Sequence, residues 1–219
     1  MEKEPSNNPK SALNNTVKRT IDVCFAIVFI IVFSPIYITT ALIIWFQDRH
    51  TPFYFQKRVG YNGEYFDFYK FRSMIMNADD LLFKDPELYK QMRSGSNKIV
   101  NDPRITKFGR FIRKYSIDEF PQMLNVIKGD MSVVGPRALR PDEFDLYKSK
   151  SDENSDKLEL ITSVKPGITG YWQVHGRSNI SFDQRIDMDC YYAEHQSIWF
   201  DLMLLLRTPI AIIKSEGAY

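Results

Sequence analysis

Apolar positions along the chain fall into one long uninterrupted run, several short periodic segments and a broken apolar tail. From Val23 to Phe46 no residue carries a charge. That exceeds the roughly 20 apolar residues needed to cross a bilayer, and it lies too far from the start for a signal-peptide core. Lys18 and Arg19 precede the run, and Asp48, Arg49 and His50 follow it. Ser34-Pro35 stands at its centre. A proline there removes a backbone hydrogen bond and kinks the helix, which lipid tolerates when a serine serves the freed carbonyl. Bases flank both ends, so the positive-inside bias selects no direction, and a full span and a re-entrant helix both remain open. Residues 1–16 are polar and rich in Pro and Asn, and no fold is expected there.

Pro52 to Met74 alternates aromatic and polar residues around Asn62-Gly63, which predicts a β-hairpin with an Asn-Gly turn. Alternation places Lys70 and Arg72 on one face, a cation pair suited to a diphosphate. Asn77 to Met92 has helical spacing interrupted at Asp85-Pro86. Leu139 to Leu160 is a polar connection with room for a helix. Ser181 to Gln196 predicts a helix carrying Arg185 and Asp189. The tail from Ile198 to Ile213 is interrupted by Asp201, Arg207 and Pro209. It reads as one or two interfacial helices with Trp199 and Phe200 at headgroup depth, or as a core helix.

The stretch from Asn101 to Arg137 carries the chemistry. A cationic amphipathic segment with Lys107, Arg110, Arg113 and Lys114 leads to adjacent carboxylates, Asp118 and Glu119, before an apolar helix pattern. Ser116 to Glu119 also fits a capping box, in which Glu119 merely serves the backbone. Pro121 opposes that frame, because proline belongs at the first helical position. Phe120 then becomes the cap, and the two acids lie just outside a helix N-terminus, where anions are favoured. With Arg113 nearby, Asp118 is expected to be ionised and nucleophilic.

Composition is that of an ordinary globular protein, 44% hydrophobic and 26% charged, and a net charge of +2 gives no support to nucleic-acid binding. Cys24 and Cys190 cannot make a disulfide framework, so a reduced, cytoplasm-facing protein is expected. No Walker pattern, metal-binding His/Cys cluster or internal repeat occurs.

Taken in order, Lys70-Phe-Arg-Ser-Met74, Asp102-Pro-Arg104, Gly109-Arg110, Asp118-Glu-Phe-Pro-Gln122, Gly129-Asp-Met-Ser132, Gly135-Pro-Arg137, Lys165-Pro-Gly-Ile-Thr-Gly170 and Trp172-Gln173 through Gly176-Arg177 form a series. The series resembles the bacterial sugar transferases, the monotopic phosphoglycosyl transferases that start polyprenyl-linked glycan assembly, over residues 17 to 213. One departure is Ala138, where the family often has proline. The resemblance implies a fold that is α/β, mostly α with a small hairpin, as a single domain. Its expected divisions are a disordered tail (1–16), a re-entrant helix broken at Ser34-Pro35 (17–50), a catalytic domain (51–197) and interfacial C-terminal helices (198–219). It implies transfer of glucose or galactose 1-phosphate from a UDP-sugar to undecaprenyl phosphate with release of UMP, in exopolysaccharide, capsule or O-antigen assembly. Asp118 would be the nucleophile, and Glu119 would hold Mg²⁺. Lys70, Arg72, Arg113, Gln122, Arg137, Trp172, Arg177 and Asp189 would bind substrate. The expected place is the cytoplasmic leaflet of the bacterial inner membrane, with self-association into a homo-oligomer left open. Direct displacement with Asp118 or Glu119 as base or metal ligand, and a non-catalytic membrane scaffold for a glycan-assembly complex, are the alternatives.

Overall fold

The computed structural model describes residues 9–93, 99, 101–176 and 180–213. Its first element, helix α1 (Pro9–Asp48), begins inside the stretch expected to lack a fold and runs without a break in assignment through Pro35. Residues 1–8 lie outside the described residues. The missing Pro35 N–H would have bonded the carbonyl of Ile31, and the Ser34 hydroxyl donates to that carbonyl instead, at 2.8 Å. Thr39 donates in turn to the Pro35 carbonyl at 2.8 Å. The carbonyl freed by Pro35 is therefore served by a side chain.

One face of α1 rests on the rest of the chain from Lys18 to Asp48. The hairpin strands β1 (Phe53–Val59) and β2 (Tyr65–Phe71), helix α5 (Gln122–Lys128), the short strand β3 (Ser132–Val134) and helix α10 (Ile198–Ile213) supply the contacts. Lys18 bonds Asp201 of α10 at 2.5 Å and the Val134 carbonyl at 3.2 Å. Asp22 accepts from the Ser132 hydroxyl and the Val133 N–H, at 2.7 and 3.1 Å. Arg19 caps the end of α5 through the Val126 and Ile127 carbonyls. Farther along, Phe29 and Phe33 meet the ring of Phe120, and Tyr37 donates to the Phe120 carbonyl at 2.5 Å while its ring packs on Phe71. Asp48, at the far end, takes a forked pair of bonds from Arg72. The opposite face, with Val28, Ile31, Val32, Ile38 and Phe46, is exposed and apolar.

The hairpin forms as its alternation predicts, with Phe53 opposite Phe71 and Val59 opposite Tyr65. Asn62 and Gly63 take left-handed conformations at φ 53° and 78°, which those residue types adopt most readily, and Gly60 N–H closes the loop on the Glu64 carbonyl. Beyond it, Asp85-Pro86 divides the next helical stretch into α2 (Ala78–Lys84) and α3 (Pro86–Arg93). Helix α4 (Lys107–Lys114) is capped by Thr106, whose hydroxyl accepts from Gly109 N–H at 2.8 Å. A Cβ on Gly109 would stand 1.9 Å from the Ser73 carbonyl oxygen, so glycine is what lets α4 press on the segment after β2. Asp102 and Arg104, both buried, form a forked ion pair that staples the approach to α4.

The parallel pair of β3 with β4 (Gly167–Thr169) has no counterpart in the sequence-based expectation. Three residues per strand are too few for a readable alternation. Between and after them come helices α6 (Pro141–Lys148), α7 (Asp152–Thr162), α8 (Tyr171–His175) and α9 (Phe182–His195). A Cβ on Gly135 would meet the Lys165 carbonyl at 2.3 Å, and one on Gly167 would meet Gly135 N at 2.0 Å. The Gly-Pro-Arg and Lys-Pro-Gly motifs are thus two halves of one close approach, bonded through Gly135 N–H to Thr169 O and Gly167 N–H to Pro136 O. The apolar tail is one helix, α10, with Pro209 inside it. Leu204 and Asp201 face the core, while Trp199, Leu202 and Leu206 are exposed. Cys24 and Cys190 are both free thiols.

Candidate active site

The two acids occupy a turn of their own. Ser116 adopts a left-handed conformation (φ 56°) and makes no side-chain cap, which disposes of the capping box. A single 3₁₀ turn, Ile117–Glu119, follows, closed by Glu119 N–H to Ser116 O and Phe120 N–H to Ile117 O. Pro121 is the residue before α5, one place earlier than the sequence argument puts it. The acids are held by this turn and not by the end of a long helix.

What fixes the turn against the hairpin is Asn125, which sequence reasoning passed over. Fully buried on α5, its amide accepts from Tyr69 N–H at 3.1 Å and donates to the Asp67 carbonyl at 2.7 Å, a two-way bond to β2. An amide inside a short apolar helix pattern is the only sign the sequence offers. With β2 thus docked, Lys70 reaches the acids: its Nζ is 2.8 Å from Glu119 Oε1 and 3.6 Å from Asp118 Oδ2, and it lies 5.5 Å over the Phe68 ring.

Asp118 is buried and Glu119 half-buried. Burial pushes the Asp118 carboxyl up, Lys70 works against that, and the Glu119 charge adds to it. Arg113 is one of several influences on Asp118: loss of solvent is the largest and raises it, while Lys70 and Arg113 pull the other way. Glu119 moves the other way. Burial would raise it, but Lys70, with Arg137 and Arg58 farther off, holds it below the usual carboxylate range. The two neighbouring carboxyls are thus pushed in opposite directions, Asp118 up and Glu119 down.

Arg113 sits on the last turn of α4, bonded through Nε to the Ser73 hydroxyl at 2.8 Å, near enough for Asp118 to feel its charge. Arg72 is the exception among the expected cations. Strand β2 ends at Phe71, so the alternation that paired Arg72 with Lys70 ends too, and Arg72 spends both fork nitrogens on Asp48 and its Nε on the Thr51 carbonyl. It ties the apolar helix to the hairpin.

Arg137, on the turn after β3, is held by its own backbone: its N–H donates to Asp189 Oδ2 at 3.2 Å. Asp189 is fully buried and pushed up to about 7, by burial against the pull of Arg137 and Arg185. Arg58, unremarked in the sequence, is buried beside them. It donates to the Ala138 carbonyl and Gln56 and lies 5.2 Å over the Phe68 ring. Burial and the neighbouring Arg137 lower it to about 10. Trp172 is buried under the guanidinium groups of Arg137 and Arg185, so it forms a platform for cations and has little face left for a base or sugar. Gln122 is buried with its amide nitrogen unbonded among the described residues. Arg177 lies outside the described residues. The structure therefore brings Lys70, Arg113 and Arg137 within reach of the acids, sets Trp172 and Asp189 against Arg137, and takes Arg72 away.

Among the described residues no group of three His, Cys, Asp or Glu stands ready for a metal. That donor set still fits Mg²⁺, which commonly takes one or two carboxylates and fills its remaining positions with phosphate oxygens and water. Glu119, half-exposed, its carboxyl held low by Lys70 and its second oxygen not bound to that lysine, is the residue that would hold it.

The bacterial sugar transferase family profile matches residues 13–215. An undecaprenyl-phosphate galactose phosphotransferase of Salmonella typhimurium is 39% identical over 97% of this chain, which spans 44% of that protein. The exopolysaccharide production protein ExoY of Rhizobium meliloti is 36% identical over 94% of this chain and 90% of its own length. An N-acetylgalactosaminephosphotransferase of Aeromonas hydrophila, specific by name for the UDP-sugar and undecaprenyl phosphate, is 34% identical over 92% of this chain and 45% of its own. The chain thus spans nearly all of one of these relatives and under half of the other two. Carrying the paired acids, their lysine and the glycine-packed arginine turn along the whole of the matched length, the chain belongs to the bacterial sugar transferase family.

Proposed function

We propose that the protein transfers a hexose 1-phosphate from a UDP-sugar, UDP-galactose or UDP-glucose, to undecaprenyl phosphate, releasing UMP by way of an ester on Asp118. The observation that carries this reading is the buried Asp118 beside a charged Glu119, both reached by one lysine and flanked by Arg113 and Arg137. A buried acid so surrounded has a use only when an anionic, electrophilic group arrives.

In the first half-reaction an Asp118 oxygen bonds to the sugar-bearing phosphorus. The bond from that phosphorus to the bridging oxygen breaks, and its electron pair leaves with UMP. A phosphate oxygen of undecaprenyl phosphate then attacks the same phosphorus, the Asp118–phosphorus bond breaks, and the carboxylate returns. Lys70 and Arg113 hold the equatorial oxygens as charge builds on them. Bound magnesium at Glu119 would neutralise diphosphate oxygens during the transfer.

The test is a membrane-fraction assay against a panel of UDP-sugars with undecaprenyl phosphate, scored by UMP release. The expected result is lipid-dependent turnover with one hexose donor, lost in excess chelator and reduced to a small residual level in Glu119→Gln. Turnover undiminished by chelator would remove the metal, and no turnover with any donor would remove the reaction.

Contact of α1 with one domain at both Lys18 and Asp48 supports a re-entrant arrangement, with both helix ends on the cytoplasmic side of the inner membrane and the exposed apolar face in one leaflet. In a cysteine-free background, single cysteines at Glu4 and His50 are expected to react with an impermeant thiol reagent only from the cytoplasmic side. Periplasmic labelling of position 4 would replace this topology with a span.

A further inference from the structure

Two guanidinium groups converge on Trp172 with no direct ion pair among the described residues. Arg137 Cζ is 5.3 Å and Arg185 Cζ 4.7 Å from the ring centroid, and among the described residues neither has a carboxylate within ion-pair distance. The two come from different elements, the turn after β3 and the first half of α9. Asp189, one helical turn after Arg185, locks them in register by accepting the Arg137 backbone N–H. Among the described residues both Nε atoms are buried with no hydrogen-bond partner, as is the Trp172 N–H. Burial and the Arg137 charge lower Arg185, and the carboxylates of Glu143 and Asp189, neither within ion-pair distance, offset them only in part. Two partly buried like charges held together cost stability unless something anionic fills the space between them. Arg137 also acts on Glu119, so this cationic notch adjoins the acids.

We propose that Arg185 and Arg137 form a clamp for a phosphate monoester, taking the phosphate of the nucleoside monophosphate as it leaves Asp118. The inference rests on the reaction proposed above for its geometry. Attack at one phosphorus of a diphosphate puts the departing phosphate one bridging oxygen away, on the far side of the reacting centre from the nucleophile. A forked cation pair there stabilises charge that exists in full only after the bond breaks, and it also retains the product. The platform of Trp172 keeps both forks from collapsing onto nearby carbonyls.

The clamp is tested by calorimetric binding to the full chain in nanodiscs, in an Asp118→Asn background that cannot turn over. Probes are UMP, uridine and inorganic phosphate. Arg185→Gln is expected to weaken UMP by ten- to a hundred-fold and to leave uridine unchanged, while Arg185→Lys recovers part of the loss. Equal UMP affinity in parent and Arg185→Gln overturns the clamp. So does an equal loss of UMP and uridine, or a glutamine variant that Arg185→Lys does not improve on. If the parent binds no uridine compound at all, the donor reading fails. Inorganic phosphate then decides the clamp, which stands if its binding falls at least ten-fold in Arg185→Gln and falls if it does not.

Discussion

Asp118→Asn is expected to abolish turnover, by a factor on the order of 10³ or more, and with it a partial reaction that needs no lipid. Incubated with nucleotide sugar alone, the wild-type protein should release about one equivalent of UMP per active site and gain the mass of a sugar phosphate. The asparagine variant should do neither, because a carboxamide of nearly the same shape is a poor nucleophile. Its fold should survive. Burial already pushes the Asp118 carboxyl up, so a charged carboxylate there is a cost of folding that is absent at low pH and grows as pH rises. A neutral amide removes that cost, and at pH 8 the variant should melt no lower than wild type. Intact-mass measurement and peptide mapping locate the adduct. An adduct elsewhere, or near-normal turnover in the variant, would make Asp118 a base or a metal ligand.

Lys70→Met is expected to lower kcat/KM by roughly 10² to 10³, the scale of losing one preorganised cation at a reacting centre. Its signature is in the pH profile. Asp118 works as the carboxylate, and its pKa is raised by burial and by Glu119 but restrained by Lys70. Without Lys70 the pKa rises further, less of the nucleophile is ionised at neutral pH, and the acid limb of kcat/KM moves to higher pH. Activity should therefore recover in part as pH increases. Residual activity of Glu119→Gln should shift oppositely, since losing the neighbouring negative charge lowers Asp118. A Lys70→Met profile that drops uniformly, with no shift of its acid limb, would reduce the lysine to a substrate contact.

Several parts of this arrangement could be read before the fold was known, for definite physical reasons. The uncharged run of α1 is long enough that composition decides it. The hairpin announces itself because Asn62-Gly63 is one of few pairs that tolerate successive left-handed residues. Lys70 follows from strand alternation. Arg72 does not, because the strand ends one residue earlier and the chain turns toward Asp48. Asp118 and Glu119 were legible as a pair, but not the opposite directions in which their carboxyls are pushed, which depend on burial that arises only when Asn125 docks α5 on β2. The parallel strands escaped notice because Gly135, Gly167 and Gly170 read as turn punctuation, whereas each is a place where two backbones touch. Arg58 drew no notice in the sequence, because only its bond to the Ala138 carbonyl and its stacking on Phe68 distinguish it from an ordinary strand base.

The outward face of α1 has a practical consequence. Val28, Ile31, Val32, Ile38 and Phe46 leave a continuous apolar strip that in aqueous solution some amphiphile or another molecule of the chain will cover. Whatever covers it binds the folded form in proportion to its concentration, so a thermal midpoint belongs to the protein–amphiphile pair and not to the protein. A variant ranked in one detergent at one concentration can change rank in another, and comparisons between substitutions on α1 and elsewhere hold only when the amphiphile is fixed.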